Sequence, residues 1–186
     1  MAGLVGAIDI TVVVLIVAAI SKLADPASTS RLFATLGFPR VPRSAPRLVA
    51  AVELGVGAWV VLSGTRSAML ALTLTYAMLS AVLARLLWLG SRSATVVSCG
   101  CFGVRSAPPT RLHLLLNAAS LVAAIGGVIS PIDPLSDRLR SQGTAAIAYV
   151  ALVAIGAGLV IAAHTAGAEL SAAVAAIRPR RAGGVS

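Results

Sequence analysis

Five apolar runs, each closed by a breaker or a charge, constrain this chain more than any other feature. They cover residues 3–24, 47–63, 67–89, 112–130 and 144–166. A helix needs about 20 apolar residues to cross the hydrocarbon core of a bilayer. In lipid every backbone polar group must be paired internally, so runs of this kind can only be helices. Composition leaves no soluble alternative. The chain is 58% hydrophobic and 11% charged, with too few polar side chains to coat a water-soluble domain of 186 residues. The first run lacks a basic leader and is longer than a signal-peptide core, so it reads as a retained span.

The expected fold is therefore all-α and polytopic: a four-helix transmembrane core over residues 1–130, then a loop and fifth transmembrane helix over 131–166. Residues 167–186 read as a helical extension running into a disordered basic tail. The first loop contains "STSRLFATLG", with Leu32, Phe33 and Leu36 on one face, Ser28 or Ser30 as caps and Gly37 as terminator. A short interfacial helix is expected there, and a plain loop over 131–143. Paired glycines (55 and 57, 126 and 127, 156 and 158) suit close helix packing.

The net charge of +9 does not indicate nucleic acid. The arginines sit between the apolar runs without interleaved aromatics, as expected for lipid headgroups and topology. Five crossings put the first loop, the loop after the third span and the C-terminal tail on one face. That face carries arginines 31, 40, 43, 47, 92, 105, 111, 178, 180 and 181, against 66, 138 and 140 opposite. The positive-inside rule makes the arginine-rich face cytoplasmic.

Both cysteines of the chain lie in the loop on that face, in "SATVVSCGCFGVRS". Cys99 and Cys101 are separated only by Gly100, which gives the backbone freedom to bring the sulfurs together. A disulfide closed over one residue departs from relaxed geometry and should be readily reduced. So small a loop constrains little chain entropy, which argues for exchange rather than bracing. Arg92, Arg105 and His113 would favour the reactive thiolate. A soft-metal site using both sulfurs and His113, or an inert local pair, are the competing readings. The first lacks a further sulfur ligand, and no metal is expected.

Charged groups inside a span cost roughly 2.5–3.5 kcal/mol each unless they pair or line a polar cavity. Lys22 near the end of the first span and Glu53 inside the second lie at compatible depths, so they are the natural pair. His113 and Asn117, one turn apart, enter the fourth span just after the cysteines. Arg85 reads as snorkelling to the headgroups, and Asp9, near the opposite face, has no assignable partner.

Together "VAAISKLADP", "AAVELGVGAWVVLSG", "CGCFG" and "LHLLLNAASL" resemble the methylamine-utilisation protein MauE family, a branch of the DoxX-like membrane proteins. The matching positions are Lys22, Glu53, Cys99, Gly100, Cys101, Phe102, Gly103 and Asn117. The resemblance implies a four-helix core similar in plan to thiol-oxidising membrane enzymes of the VKOR and DsbB types. It also implies maturation of a disulfide-containing client beside a thioredoxin-like partner; in the namesake system the client is the small subunit of methylamine dehydrogenase. The expectation is a thiol–disulfide exchange factor of the cell membrane, with Cys99 and Cys101 exchanging above a polar cavity of Lys22, Glu53, His113 and Asn117. A quinone headgroup is a compatible acceptor. A scaffold or chaperone docking its client on the CGCFG turn, or a small transporter using the Lys22–Glu53 pair, are the alternatives. Oxidative maturation of an exported client calls for cysteines outside, whereas the arginines put them inside.

Overall fold

A computed structural model describes residues 2–38, 40–92 and 109–177, and the side chains of 3–38, 40–92 and 109–166. Every element among them is a helix: α1 (Ala2–Ala24), α2 (Pro26–Thr35), α3 (Ala45–Ser63), α4 (Arg66–Arg92), α5 (Arg111–Ile129), α6 (Leu135–Gln142) and α7 (Ala145–Ile177). Five of them, α1, α3, α4, α5 and α7, are long and apolar enough to cross a membrane. The chain is a multi-pass membrane protein. At about 1.5 Å per residue, the 19 residues of α3 and α5 just span the hydrocarbon. The 33 residues of α7 reach well beyond it.

α1 packs on α3, α3 on α4, α4 on α5 and α5 back on α1, a closed ring of four helices. The interior is Ile8, Val12 and Leu15 of α1, Val60 of α3, Met69, Leu72 and Tyr76 of α4, and Ala123 and Ala124 of α5. The Tyr76 hydroxyl donates to the Thr11 carbonyl at 2.8 Å, tying α4 to α1. α7 lies outside the ring against α1 and α5, where Ala157 packs on Val14 and Ala18. Of the paired glycines, four are held at interfaces: Gly57 against Ile16, Gly126 against Leu4, Gly127 against Met69 and Gly156 against Ile10. A Cβ at any of them would come within 2.7 Å of its neighbour. Gly55 and Gly158 face open space.

Gly64 closes α3 at φ +58, and a Cβ there would lie 2.0 Å from the Ile132 carbonyl oxygen. Only glycine permits both the left-handed cap and the approach of the α5–α6 connection.

Two local expectations change. α2 starts at Pro26 with Asp25 as its N-cap, because proline's fixed φ suits the first helical position. Ser28 and Ser30 lie inside the helix and bond back to the carbonyls of Asp25 and Pro26 at 2.9 and 3.1 Å. Residues 131–143 are not a plain loop. They hold α6, a short helix too polar to register in hydropathy but with Asp137 in its first turn and Arg140 in its last, matching the helix dipole. The expected tail beyond residue 177 lies outside the described residues.

Candidate functional site

Buried charge collects at each end of the bundle. At one end α1 and α4 finish while α3 and α5 begin, and α2 lies across them. There Leu32 of α2 and its C-cap Leu36 pack against Leu83 and Leu86 of α4 and Leu114 of α5. Lys22, in the last turn of α1, donates to both carboxylate oxygens of Glu53 at 2.5 and 2.6 Å. The two side chains are 4% and 2% exposed. Burying such a pair is tolerated only when the geometry offsets several kcal/mol of desolvation per ion. Two-oxygen contact from one ammonium meets that condition and fixes the register of α1 against α3.

His113 and Asn117 lie in the first two turns of α5, both buried. Thr110 caps that helix: its hydroxyl accepts from the His113 N–H at 3.3 Å. In return, His113 Nδ1 accepts from the Thr110 backbone N–H at 3.2 Å and meets the Thr110 hydroxyl at 2.6 Å. On the other side of the ring, Nε2 lies 2.8 Å from the His164 carbonyl oxygen. A carbonyl only accepts and a backbone N–H only donates, so these partners place the imidazole hydrogen on Nε2. The His164 ring meets that of His113 edge-on, with centroids 4.9 Å apart. Asn117 donates to the His113 carbonyl at 3.2 Å. Lys22, Tyr76, His113, Asn117, Ser120 and His164 supply the polar lining of one cavity of about 30 Å³ between α1, α4, α5 and α7.

The structure thus brings four of the sequence-derived residues together, Lys22 with Glu53 and, across the cavity, His113 with Asn117. Cys99, Gly100, Cys101, Phe102 and Gly103 lie outside the described residues. Their anchors are described: the chain leaves α4 at Arg92 and returns to α5 through the Thr110 cap. Arg85 points outward and stacks on Trp88 at 4.3 Å, with Arg92 against the same ring at 3.9 Å. A tryptophan between arginines marks a headgroup level. Among the described residues no three His, Cys, Asp or Glu side chains converge as a metal site. Both nitrogens of His113 are engaged within the protein.

Sequence reasoning misses two contributions, both from beyond residue 130. For His164 the only signal is its place one turn from the end of a span. Asp9 does have a partner. At the opposite end of the bundle Arg138 of α6 donates to both its oxygens, at 2.7 and 2.8 Å, and the Tyr149 hydroxyl of α7 donates to it as well. Arg138 Nε also donates to the Asp133 carbonyl at 2.9 Å. The hydrogen bonds it gives to Asp9 raise the pKa of the Arg138 guanidinium above its ordinary high value.

Fold and site together define a polytopic helical membrane protein that buries an ion pair and a histidine–asparagine cluster at the end where its dicysteine loop is anchored. The family model for methylamine utilisation protein MauE matches residues 2–130, which is the whole four-helix ring, and the chain belongs to that family. α6 and α7 lie outside the match. No curated protein and no solved structure matches.

Proposed function

We propose that this chain has a MauE-like role in methylamine utilisation, as a membrane thiol–disulfide exchange factor for a disulfide-containing client. The observation that carries the reading is the buried Lys22–Glu53 pair at the end from which the loop bearing Cys99 and Cys101 is strung. In the exchange, a client thiolate attacks the Cys99–Cys101 disulfide, forming a mixed disulfide and releasing one cysteine thiolate of this chain. The second client thiolate then displaces the other, leaving the client oxidised and the pair reduced. One disulfide is gained for one lost, so no external oxidant enters this step. With no further cysteine in the chain, the pair must be reset by a second protein dithiol or disulfide, for which a thioredoxin-like partner is suited.

Three spanning helices precede the loop, so its face is the arginine-rich one, together with α2 and the end of α7. That distribution favours exchange on the cytoplasmic side, with the client met there. The test labels thiols in intact cells with a membrane-impermeant reagent, before and after reduction, in the native chain and in Cys99→Ser/Cys101→Ser. Protection from the reagent, with loss of client disulfides in the double variant, is the expected result. Unchanged client disulfides in the double variant would remove the exchange reading and leave a docking role for the loop.

A further inference from the structure

The cavity between α1, α4, α5 and α7 has a size and a chemistry that together select its ligand. Its volume is about 30 Å³. A bound water needs roughly 10–15 Å³ by this measure, whereas sites for organic ligands run from about 300 Å³ upward. One or two waters fit, and a quinone ring does not.

The lining supplies what such waters need. Lys22 has three N–H groups and gives two to Glu53; the third meets no acceptor among the described residues. Asn117 gives one amide hydrogen to the His113 carbonyl, while its side-chain oxygen meets no donor among the described residues. The Ser120 hydroxyl likewise has no partner there. All three residues line the cavity. A buried donor or acceptor left unpaired costs about 1–3 kcal/mol, more for a charged group, and a bound water with two to four such partners removes that penalty. The remaining wall is apolar, including Val14, Leu15, Ala18, Leu79 and Leu83, which confines water to the polar side.

We propose that this cavity is a binding site for one or two water molecules held by Lys22, Asn117 and Ser120, and that they open the Lys22–Glu53 pair to proton exchange. The hydration stands by itself; its use as a proton route for thiol ionisation rests on the thiol–disulfide exchange proposed for Cys99 and Cys101. α7 belongs to the site, since Val160 and His164 close the side that would otherwise face lipid. A segment outside the family match thereby supplies part of the wall of a cavity inside the matched core.

The test is radiolytic hydroxyl-radical footprinting of the full chain in detergent, carried out in the Cys99→Ser/Cys101→Ser background so that no thiol activity is needed. Radicals generated from bound water oxidise the side chains around it even when bulk solvent is excluded. Tyr76 and His113 line the cavity and are 3% and 1% exposed; Met69, a readily oxidised side chain, is 0% exposed and does not line it. The expected result is rapid labelling of Tyr76 and His113, several-fold above Met69, and its loss in Ala18→Leu, which fills the cavity. Labelling no higher than at Met69, or unaffected by filling in a folded variant, overturns the proposal. If Ala18→Leu does not fold, the comparison with Met69 in the unfilled chain decides alone.

Discussion

Replacing Lys22 by methionine removes the ammonium and keeps most of the side-chain volume. Glu53, 2% exposed at its side chain, is then left with its carboxylate facing apolar helix. Breaking a buried pair by deleting one partner typically costs 3–5 kcal/mol, because the orphaned charge stays desolvated. Glu53→Leu leaves the ammonium orphaned and falls in the same range. At about 2–4 °C per kcal/mol for a chain of this size, each single variant should melt about 6–20 °C lower. The double variant Lys22→Met/Glu53→Leu should recover most of that loss, since an apolar replacement of a whole buried pair is often neutral or stabilising by about 1–4 kcal/mol. The assay is thermal unfolding of purified protein in one detergent, arranged as a double-mutant cycle. A coupling of at least about 3 kcal/mol is the expected outcome. Near-additive effects, or single variants losing less than about 1 kcal/mol, would refute the claim that these charges are buried against each other. The cycle also separates stability from chemistry: a folded double variant that no longer supports client disulfides assigns the charges to the thiol reaction, and one that still does leaves them structural.

Arg138→Met should strand Asp9 at the far end and destabilise by about 1.5–3 kcal/mol, the range for hydrogen bonds to charged groups; Asp9→Asn in the same chain should restore part of it, measured by the same unfolding assay. Gly64→Ala should cost at least about 1–3 kcal/mol from left-handed strain and the clash at Ile132, whereas Gly158→Ala, which meets nothing within 4 Å, should be neutral or stabilising by about 0.5–1 kcal/mol; equal effects at the two positions would count against the helix packing described.

The spans were legible because lipid removes alternatives: a run such as 67–89, bounded by Gly64 and Arg92, has no structure open to it but a helix. Lys22 and Glu53 were legible for a related reason. Two opposite charges at similar depth on consecutive spans have few other places to go, and here they meet at 2.5 Å. α6 was not legible from hydropathy, because eight residues carrying Asp137, Arg138 and Arg140 average to a polar loop. The local signals were present in the charge order along "LSDRLRSQ", but a window tuned to membrane spans does not weigh them.

The partner of Asp9 was hidden by distance along the chain. Arg138 lies 129 residues away in a segment beyond the family core, and nothing local to either residue names the other. The same holds for His164, which touches His113 across 51 residues. In both cases the long-range pair joins the four-helix ring to α6 or α7, the two helices beyond it. α7 is thereby fixed at two heights, by Tyr149 on Asp9 near one face and by the His164 carbonyl on His113 near the other, with Ala157, Val160 and Ile161 packing on α1 between them. Without a hydrophobic drive between helices in lipid, such polar contacts and close packing are what hold a spanning helix to its neighbours. An α7 kept in place by these two clamps walls the cavity beside Lys22, so the buried charge of the matched segment is covered by a helix that lies outside the family match.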